Sequence, residues 1–139
     1  MTVDLAQLVD AAGDAIVVAD SEGAITLWNP AAQRIFGYSA QEALGRSLDL
    51  IIPERFRERH WQGYRAVMRS GETRYGTEVL RVPALRKDGG ALSIAFTVAL
   101  LKGADGRVDA IAAIMRDVTA RWNEERALKK RLAELEKAR

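Results

Sequence analysis

Apolar and polar positions along the chain follow two rhythms, one of period two and one of three to four residues, with glycine turns between them. Residues 15–19 form a β-branched run closed by Asp20-Ser21-Glu22-Gly23, and residues 24–28 resume with alternation. Together they predict an antiparallel hairpin. Residues 73–85, 91–101 and 108–118 are three further strand candidates, joined by Lys87-Asp88-Gly89-Gly90 and Ala104-Asp105-Gly106. Pro83 predicts an edge or a bulge in the first of these, because proline has no amide hydrogen to give to a ladder.

Helical spacing marks residues 5–12 as a short leading helix that ends at Gly13. Asn29-Pro30 reads as a strand exit and helix entry, since asparagine caps free amides and proline suits the first helical turn. A helix over 31–36 stops at Gly37, and Ser39-Ala40-Gln41-Glu42 matches a capping box for a second short helix ending at Gly45. Helices this short must lie against the sheet to persist. Residues 48–52 form an apolar connector to Pro53. From 54 to 69, Phe56, His60, Tyr64, Val67 and Met68 recur at three- or four-residue steps, with arginines on the other faces; this predicts the longest internal helix, closed by Ser70-Gly71. A charged helix then runs from Thr119 to the C-terminus, with Val118, Leu128, Leu132 and Leu135 near a coiled-coil stripe that Glu125 interrupts. Two strands, helices, three strands and a final helix predict an α+β fold. Its segments are a leading helix at 1–13, a core at 14–118 and a C-terminal helix at 119–139.

Composition narrows the class. At 139 residues, 48% apolar and 29% charged, the chain suits one globular domain with a tail. It has no cysteine, which excludes disulfides, thiolate metal sites, a cysteine nucleophile and thioether-linked haem. No targeting segment and no membrane span are read in it, so a cytoplasmic location is expected. The net charge of +2 is uneven: residues 119–139 carry +3 and the rest about −1. In that tail Glu124, Glu125, Glu134 and Glu136 interleave with the basic residues, as on a solvated helix that pairs with a neighbour rather than with nucleic acid.

Little in the chain points to catalysis. His60 is the one histidine, and its helix has no serine neighbour at helical spacing; a histidine-rich metal site is impossible. Asp14, Asp20 and Asp88 sit at strand ends or turns, where aspartate serves the backbone. None of the glycine turns has the spacing of a nucleotide loop. The expectation is a protein that is not an enzyme.

One combination of short motifs is specific. It comprises Asp14-Ala15-Ile16-Val17-Val18-Ala19-Asp20 with Gly23, Trp28-Asn29-Pro30-Ala31-Ala32, Phe36-Gly37-Tyr38, Glu42-Ala43-Leu44-Gly45, Ile52-Pro53-Glu54, Arg86-Lys87-Asp88-Gly89 and Met115-Arg116-Asp117-Val118-Thr119. With these the chain resembles a PAS domain, the sensory fold of bacterial histidine kinases, cyclic-dinucleotide enzymes, chemoreceptors and transcription regulators. The resemblance implies a five-stranded antiparallel sheet with helices on one face and a pocket between them. It also implies that Asp117, Val118 and Thr119 pass a signal from the last strand into the linker helix. The plainer reading is that Asp117 or Thr119 caps that helix.

The residues from Pro53 to Glu72 further resemble the stretch around the proximal haem histidine of rhizobial oxygen-sensing PAS kinases, with His60 at the ligand position. The distal arginine of those sensors falls on Leu80, beside Arg81, and a propionate-binding arginine falls on Ala66, beside Arg65. His60 is thus either an axial ligand for haem b or a structural histidine. Flavin adduct photochemistry is excluded for want of a cysteine. Leu27, Phe36, Ile52, Tyr64, Tyr75, Phe96 and Val98 are candidate pocket walls, with Asn29 and His60 as polar contacts; alternatively they fill the core. Two functions follow: a ligand- or cofactor-sensing input domain joined to a downstream signalling partner, or a constitutive dimerisation module with a filled core. In both, Leu5, Leu8 and Val9 of the leading helix and Leu128, Leu132 and Leu135 of the tail are expected to hold a homodimer.

Overall fold

The computed structural model describes residues 2–138, so Met1 and Arg139, which the 1–13 and 119–139 segments include, lie outside the described residues. Strand β1 (Ala15–Asp20) and strand β2 (Ile25–Trp28) form the first hairpin. Its turn closes because the Asp20 carboxylate accepts from the amides of Glu22 at 2.9 Å and Ala24 at 3.0 Å. Gly23 completes it at a φ of +84°, which side chains other than glycine's seldom tolerate. Val17 pairs with Trp28 and Val18 with Leu27; the register then shifts so that Ala19 faces Ile25.

Strands β3 (Leu80–Leu85), β4 (Ala91–Lys102) and β5 (Val108–Asp117) complete an antiparallel sheet of order β2-β1-β5-β4-β3. The first and last strands lie side by side, with Ala15 opposite Met115 and Asp20 opposite Ala110. The strand at the sheet's centre is therefore the one that leads into the C-terminal helix. Pro83 lies on β3, an edge strand, opposite Ser93, where its missing amide hydrogen faces no ladder partner on the outer side.

The strand expected from residue 73 begins only at Leu80. Thr73 Oγ1 accepts from the Tyr75 amide at 3.3 Å, and the Tyr75 carbonyl accepts from Glu78 at 2.9 Å, so the segment folds into a turn. Local side-chain and backbone acceptors win there, so pairing of β3 with β4 ends at Leu80 opposite Phe96 although β4 runs on to Lys102. The apolar connector is a 3-10 turn, Leu48–Ile51, in which Ser47 Oγ accepts from the Asp49 amide at 3.1 Å.

The helices are α1 (Leu5–Ala11), α2 (Pro30–Phe36), α3 (Ala40–Ala43), α4 (Glu54–Ser70) and α5 (Thr119–Lys137). α3 carries the expected capping box, the Ser39 and Glu42 side chains each accepting from the other's backbone amide. Alternation along β1 buries Ala15, Val17 and Ala19 on one face. At Ala15 and Val17 that inner face packs with Ile25, Trp28, Phe36, Ile51, Ala84, Leu92, Ile94 and Met115 into the core. Within it the Trp28 and Phe36 rings lie 5.6 Å apart, and Trp28 Nε1 donates to the Tyr38 carbonyl at 2.9 Å.

Candidate functional site

Asn29 sits at the meeting point of three elements and is 2% exposed. Its Oδ1 accepts from the amides of Ile16 at 2.9 Å and Ala32 at 3.0 Å, so it caps α2 and holds β1 at once. Its Nδ2 donates to the carbonyls of Val9 at 2.9 Å and Asp14 at 3.1 Å, which ties down the end of α1. Two donors and two acceptor sites are the whole capacity of an amide side chain. Asn29 therefore has nothing left to offer a ligand, and its work is structural.

The other expected pocket residues divide into three groups. Phe36 is fully buried in the core, and Ile52 and Phe96 pack against it half-buried. Val98 is half-buried and sits opposite Ala113, on the face that Phe96 shares with Met115. Leu27 stands apart: it pairs with Val18, one position out of phase with the inward Trp28, and lines a groove with Leu5 and Val9 of α1. Tyr75 is also displaced. It lies in the turn before β3, 37% exposed, with the Arg74 guanidinium 5.2 Å from its ring. That turn, unforeseen in the sequence, is what removes it from the sheet.

His60 and Tyr64 come together on α4 with a third aromatic, Trp61, which the three- and four-residue spacing did not single out. The imidazole lies 4.6 Å from the Trp61 ring and 5.7 Å from the Tyr64 ring, and Trp61 and Tyr64 lie 5.2 Å apart. Two bonds dock this cluster, one on the first hairpin and one on the 3-10 turn: Tyr64 Oη donates to the Asp20 carbonyl at 2.6 Å, and Trp61 Nε1 donates to Asp49 Oδ1 at 2.8 Å. The indole also lies directly over Gly23, where a Cβ would overlap it. Burial, with a smaller contribution from Asp20, pushes the Tyr64 hydroxyl up to about 12, so it stays a donor at neutral pH.

His60 Nδ1 is buried without a hydrogen-bond partner, the one such side-chain atom among the described residues. Burial lowers the pKa of this imidazole, against a weaker upward pull from Asp49. The sign follows: the unfolded chain takes up a proton near pH 6.5 that the folded one refuses until lower pH. Stability is expected to fall as pH drops from about 6.5 toward the folded pKa. Melting temperature against pH checks this, and His60→Gln should flatten that part of the profile.

Burial keeps this imidazole neutral, the state that haem iron requires of a ligand, while its Nδ1 lacks the acceptor that commonly steadies such a ring. The arginines expected around such a group are placed elsewhere. Leu80 shares the face of Phe96 and Met115, whereas Arg81 faces Ala95 on the opposite side, and its Nη1 donates to Glu125 of α5 at 3.5 Å. Arg65 is exposed.

At the other end of the sheet, β5 passes into α5 through a small polar knot. Thr119 Oγ1 accepts from the Ser93 amide at 3.0 Å and donates to Asp117 Oδ1 at 2.6 Å, and the Val118 amide donates to the Ser93 carbonyl at 2.9 Å. Asp117 Oδ1 also accepts from the Thr119 amide at 2.9 Å. The N-cap position belongs to Val118, which makes no side-chain cap bond, so the capping reading of Thr119 gives way to a stitch onto β4. Ser93 was not legible as its partner, because the two are 26 residues apart. Further along, Glu125 accepts from Arg81 of β3 and from Arg121 at 3.3 Å, so the residue that interrupts the apolar stripe ties the helix to the sheet edge.

No helix of the described residues is long and apolar enough to cross a membrane, and no group of three or more histidine, aspartate or glutamate side chains there could hold a metal ion. A family model described as the PAS fold matches residues 9–123. An uncharacterized protein of Azorhizobium caulinodans is 34% identical over 88% of this chain and 17% of its own length. The sensor protein FixL of Bradyrhizobium diazoefficiens is 45% identical over 34% of this chain and 9% of its own length. The oxygen sensor protein DosP of Escherichia coli is 26% identical over 74% of this chain and 13% of its own length. The chain thus spans less than a fifth of each of these relatives. The crystal structure of the PAS domain of a protein from Colwellia psychrerythraea superposes with a TM-score of 0.73 at 25% identity, covering 84% of this chain and 95% of that one. With the sheet order, the helices on its inner face and a family model that takes in most of the sequence, the chain belongs to the PAS-fold family.

Proposed function

We propose that this chain is a sensory input domain that binds a small ligand or cofactor between α4 and the inner face of the sheet, and passes its state to a downstream signalling partner through α5. The observation that carries this reading is the orphaned Nδ1 of His60, a buried polar atom that the protein leaves for a ligand or a bound water to complete. The inner face is also less covered toward its β3–β4 side. Leu92 and Ile94 are buried there, while Phe96 and Val98 are half-buried and Val82 is 37% exposed. Similarity to proteins named as a sensor and as an oxygen sensor supports the same reading.

Haem b is the specific group that a neutral, half-buried His60 suits. His60 would hold its iron, with Trp61 and Tyr64 beside the imidazole, and the group would supply iron chemistry responsive to redox state or diatomic gases. Among the described residues no arginine stands on the inner face to steer a bound gas, so a distal-arginine mechanism has no residue there. The test is reconstitution of the purified chain with haem followed by visible absorption. A Soret band that His60→Ala abolishes supports the haem reading, and an uncoloured protein after reconstitution removes it. A thermal-shift screen of uncoloured ligands addresses the wider reading, since a ligand that binds only the folded state must raise its melting temperature.

Output would run through the knot at Thr119. Thr119→Val keeps the shape but removes the acceptor for the Ser93 amide and the donor to Asp117, and is expected to cost about 1 kcal/mol. Hydrogen exchange at Ser93 and in the first turn of α5 should quicken while the core amides stay protected. Unchanged exchange at those positions would show that the stitch does not couple sheet and helix. Association into a homodimer accompanies this reading. Leu5, Leu8, Leu128, Leu132 and Leu135 are exposed and Val9 half-buried, and α5 has no buried residue, so both helices carry apolar positions that a second copy can cover. Sedimentation with and without the residues after Thr119 tests it, and a monomer in both forms would remove the homodimer.

A further inference from the structure

A second groove, of about 330 Å³, lies away from His60 between the 3-10 turn, the start of α4 and the β3–β4 turn. Arg46, Arg57, Arg86 and Lys87 line it together with Tyr38, and Asp49 is the one carboxylate in its wall. The scaffold that gathers these cations is fixed. Arg86 Nη1 donates to the Ile35 carbonyl at 2.9 Å and the Lys87 amide to the Phe36 carbonyl at 2.8 Å, which docks the β3–β4 turn on the end of α2. From the other wall, Arg57 Nε donates to the Ile52 carbonyl at 3.0 Å and its Nη2 to the Asp49 carbonyl at 3.3 Å.

The charges are incompletely neutralised. Arg57 and Arg86 reach their acids, Asp49 and Asp88, only at 3.9 Å and 3.8 Å, and Asp49 Oδ1 is already engaged by Trp61. Lys87 pairs with Glu42. All these partners are at least a third exposed, and such surface pairs are worth roughly 0–1 kcal/mol, so a polyvalent anion can displace them. Arg46 is held by its backbone, whose carbonyl accepts from the Ile25 amide at 2.8 Å, while its exposed guanidinium has no hydrogen-bonding or ionic partner among the described residues. Guanidinium groups on facing walls suit a tetrahedral dianion, which offers several acceptors to their planar forks at once.

We propose that this groove binds a phosphate-bearing small molecule, with Arg46, Arg57 and Lys87 on the phosphate and the Tyr38 ring as an apolar flank. Inorganic phosphate and a nucleotide share this chemistry. His60 does not line the groove, so phosphate binding here and ligand binding at His60 are read by separate experiments, although Asp49 in the groove's wall also accepts from Trp61 beside His60. Calorimetric titration of the full chain at low salt, with inorganic phosphate and separately with adenosine monophosphate, is the experiment. Saturable binding of at least one, with a Kd near or below about 1 mM, is expected. Arg46→Ala should weaken it about tenfold and leave the melting temperature unchanged, and Lys87→Ala should act in the same direction. Equal affinity for both probes assigns the site to the phosphate group alone, and tighter nucleotide binding assigns it to an organic phosphate; either supports the proposal. No saturation by either probe up to about 10 mM, or binding that both variants leave intact, overturns it.

Discussion

Asn29→Ala is expected to destabilise the fold by about 3–4 kcal/mol and to lower the melting temperature by roughly 10 °C. The change removes four hydrogen bonds from a residue that is 2% exposed. Loss of a helix cap alone costs about 1 kcal/mol, and each buried partner left unsatisfied adds about 1–3 kcal/mol before relaxation. Relaxation is limited because the three elements that Asn29 joins are held by other contacts, the Ile16 amide by its place in β1 above all. Asn29→Asp separates the two halves of the effect. It keeps the acceptor for Ile16 and Ala32 but sets a carboxylate against the carbonyls of Val9 and Asp14. Hydrogen exchange should then show α1 released while α2 remains capped. Urea unfolding supplies the stability measurement, and a loss under about 1 kcal/mol for the alanine variant would show that water replaces the side chain at that junction.

Gly23→Ala carries the second large effect, about 3 kcal/mol, and its two sources can be separated. One is local: at a φ of +84° an alanine is strained by about 1 kcal/mol whatever surrounds it. The other comes from α4, whose Trp61 indole occupies the space a Cβ would need. To make room the indole must move, and with it go its bond to Asp49 and its packing beside His60 and Tyr64. In a Trp61→Ala background the same Gly23→Ala change should cost only the local share, so the double-mutant cycle should return a coupling of about 2 kcal/mol. Simple additivity would show that the helix and the hairpin turn do not constrain one another. The coupling bears on the sensing proposal, because the Gly23–Trp61 contact fixes the residue next to His60 along α4.

Much of the architecture was legible because its signals are local. The alternation at residues 15–19, the Asp20 to Gly23 turn, the Asn29-Pro30 entry and the Ser39–Glu42 box each rest on side chains that act within a few residues of themselves, and each stands in the structure. Residues 73–79 form a turn rather than a strand for a related reason. Their composition suits a strand, and β4 runs on past Phe96 to Lys102, but Thr73 and Tyr75 close a local turn instead of pairing with it. The site was less legible still. Helical periodicity marked His60 and Tyr64 and passed over Trp61, because the surface Trp61 meets belongs to a turn 38 positions earlier in the chain. In the sequence Asn29 suits a ligand contact as well as a cap, since nothing there shows that the carbonyls of Val9 and Asp14 converge on its amide.

By itself the sequence determined the order of elements, the caps and turns that bound them, and the motif set that identifies the fold family, because all of these depend on chemistry between near neighbours. Only the tertiary structure decided what each polar group has left to give. It used up Asn29, turned Arg81 toward Glu125 rather than toward the inner face, bound Thr119 to Ser93 and left one nitrogen of His60 without a partner. The reason is physical: a hydrogen-bonding group is available to a ligand only after the fold has claimed its own bonds, and that claim is settled by contacts between residues far apart in the chain.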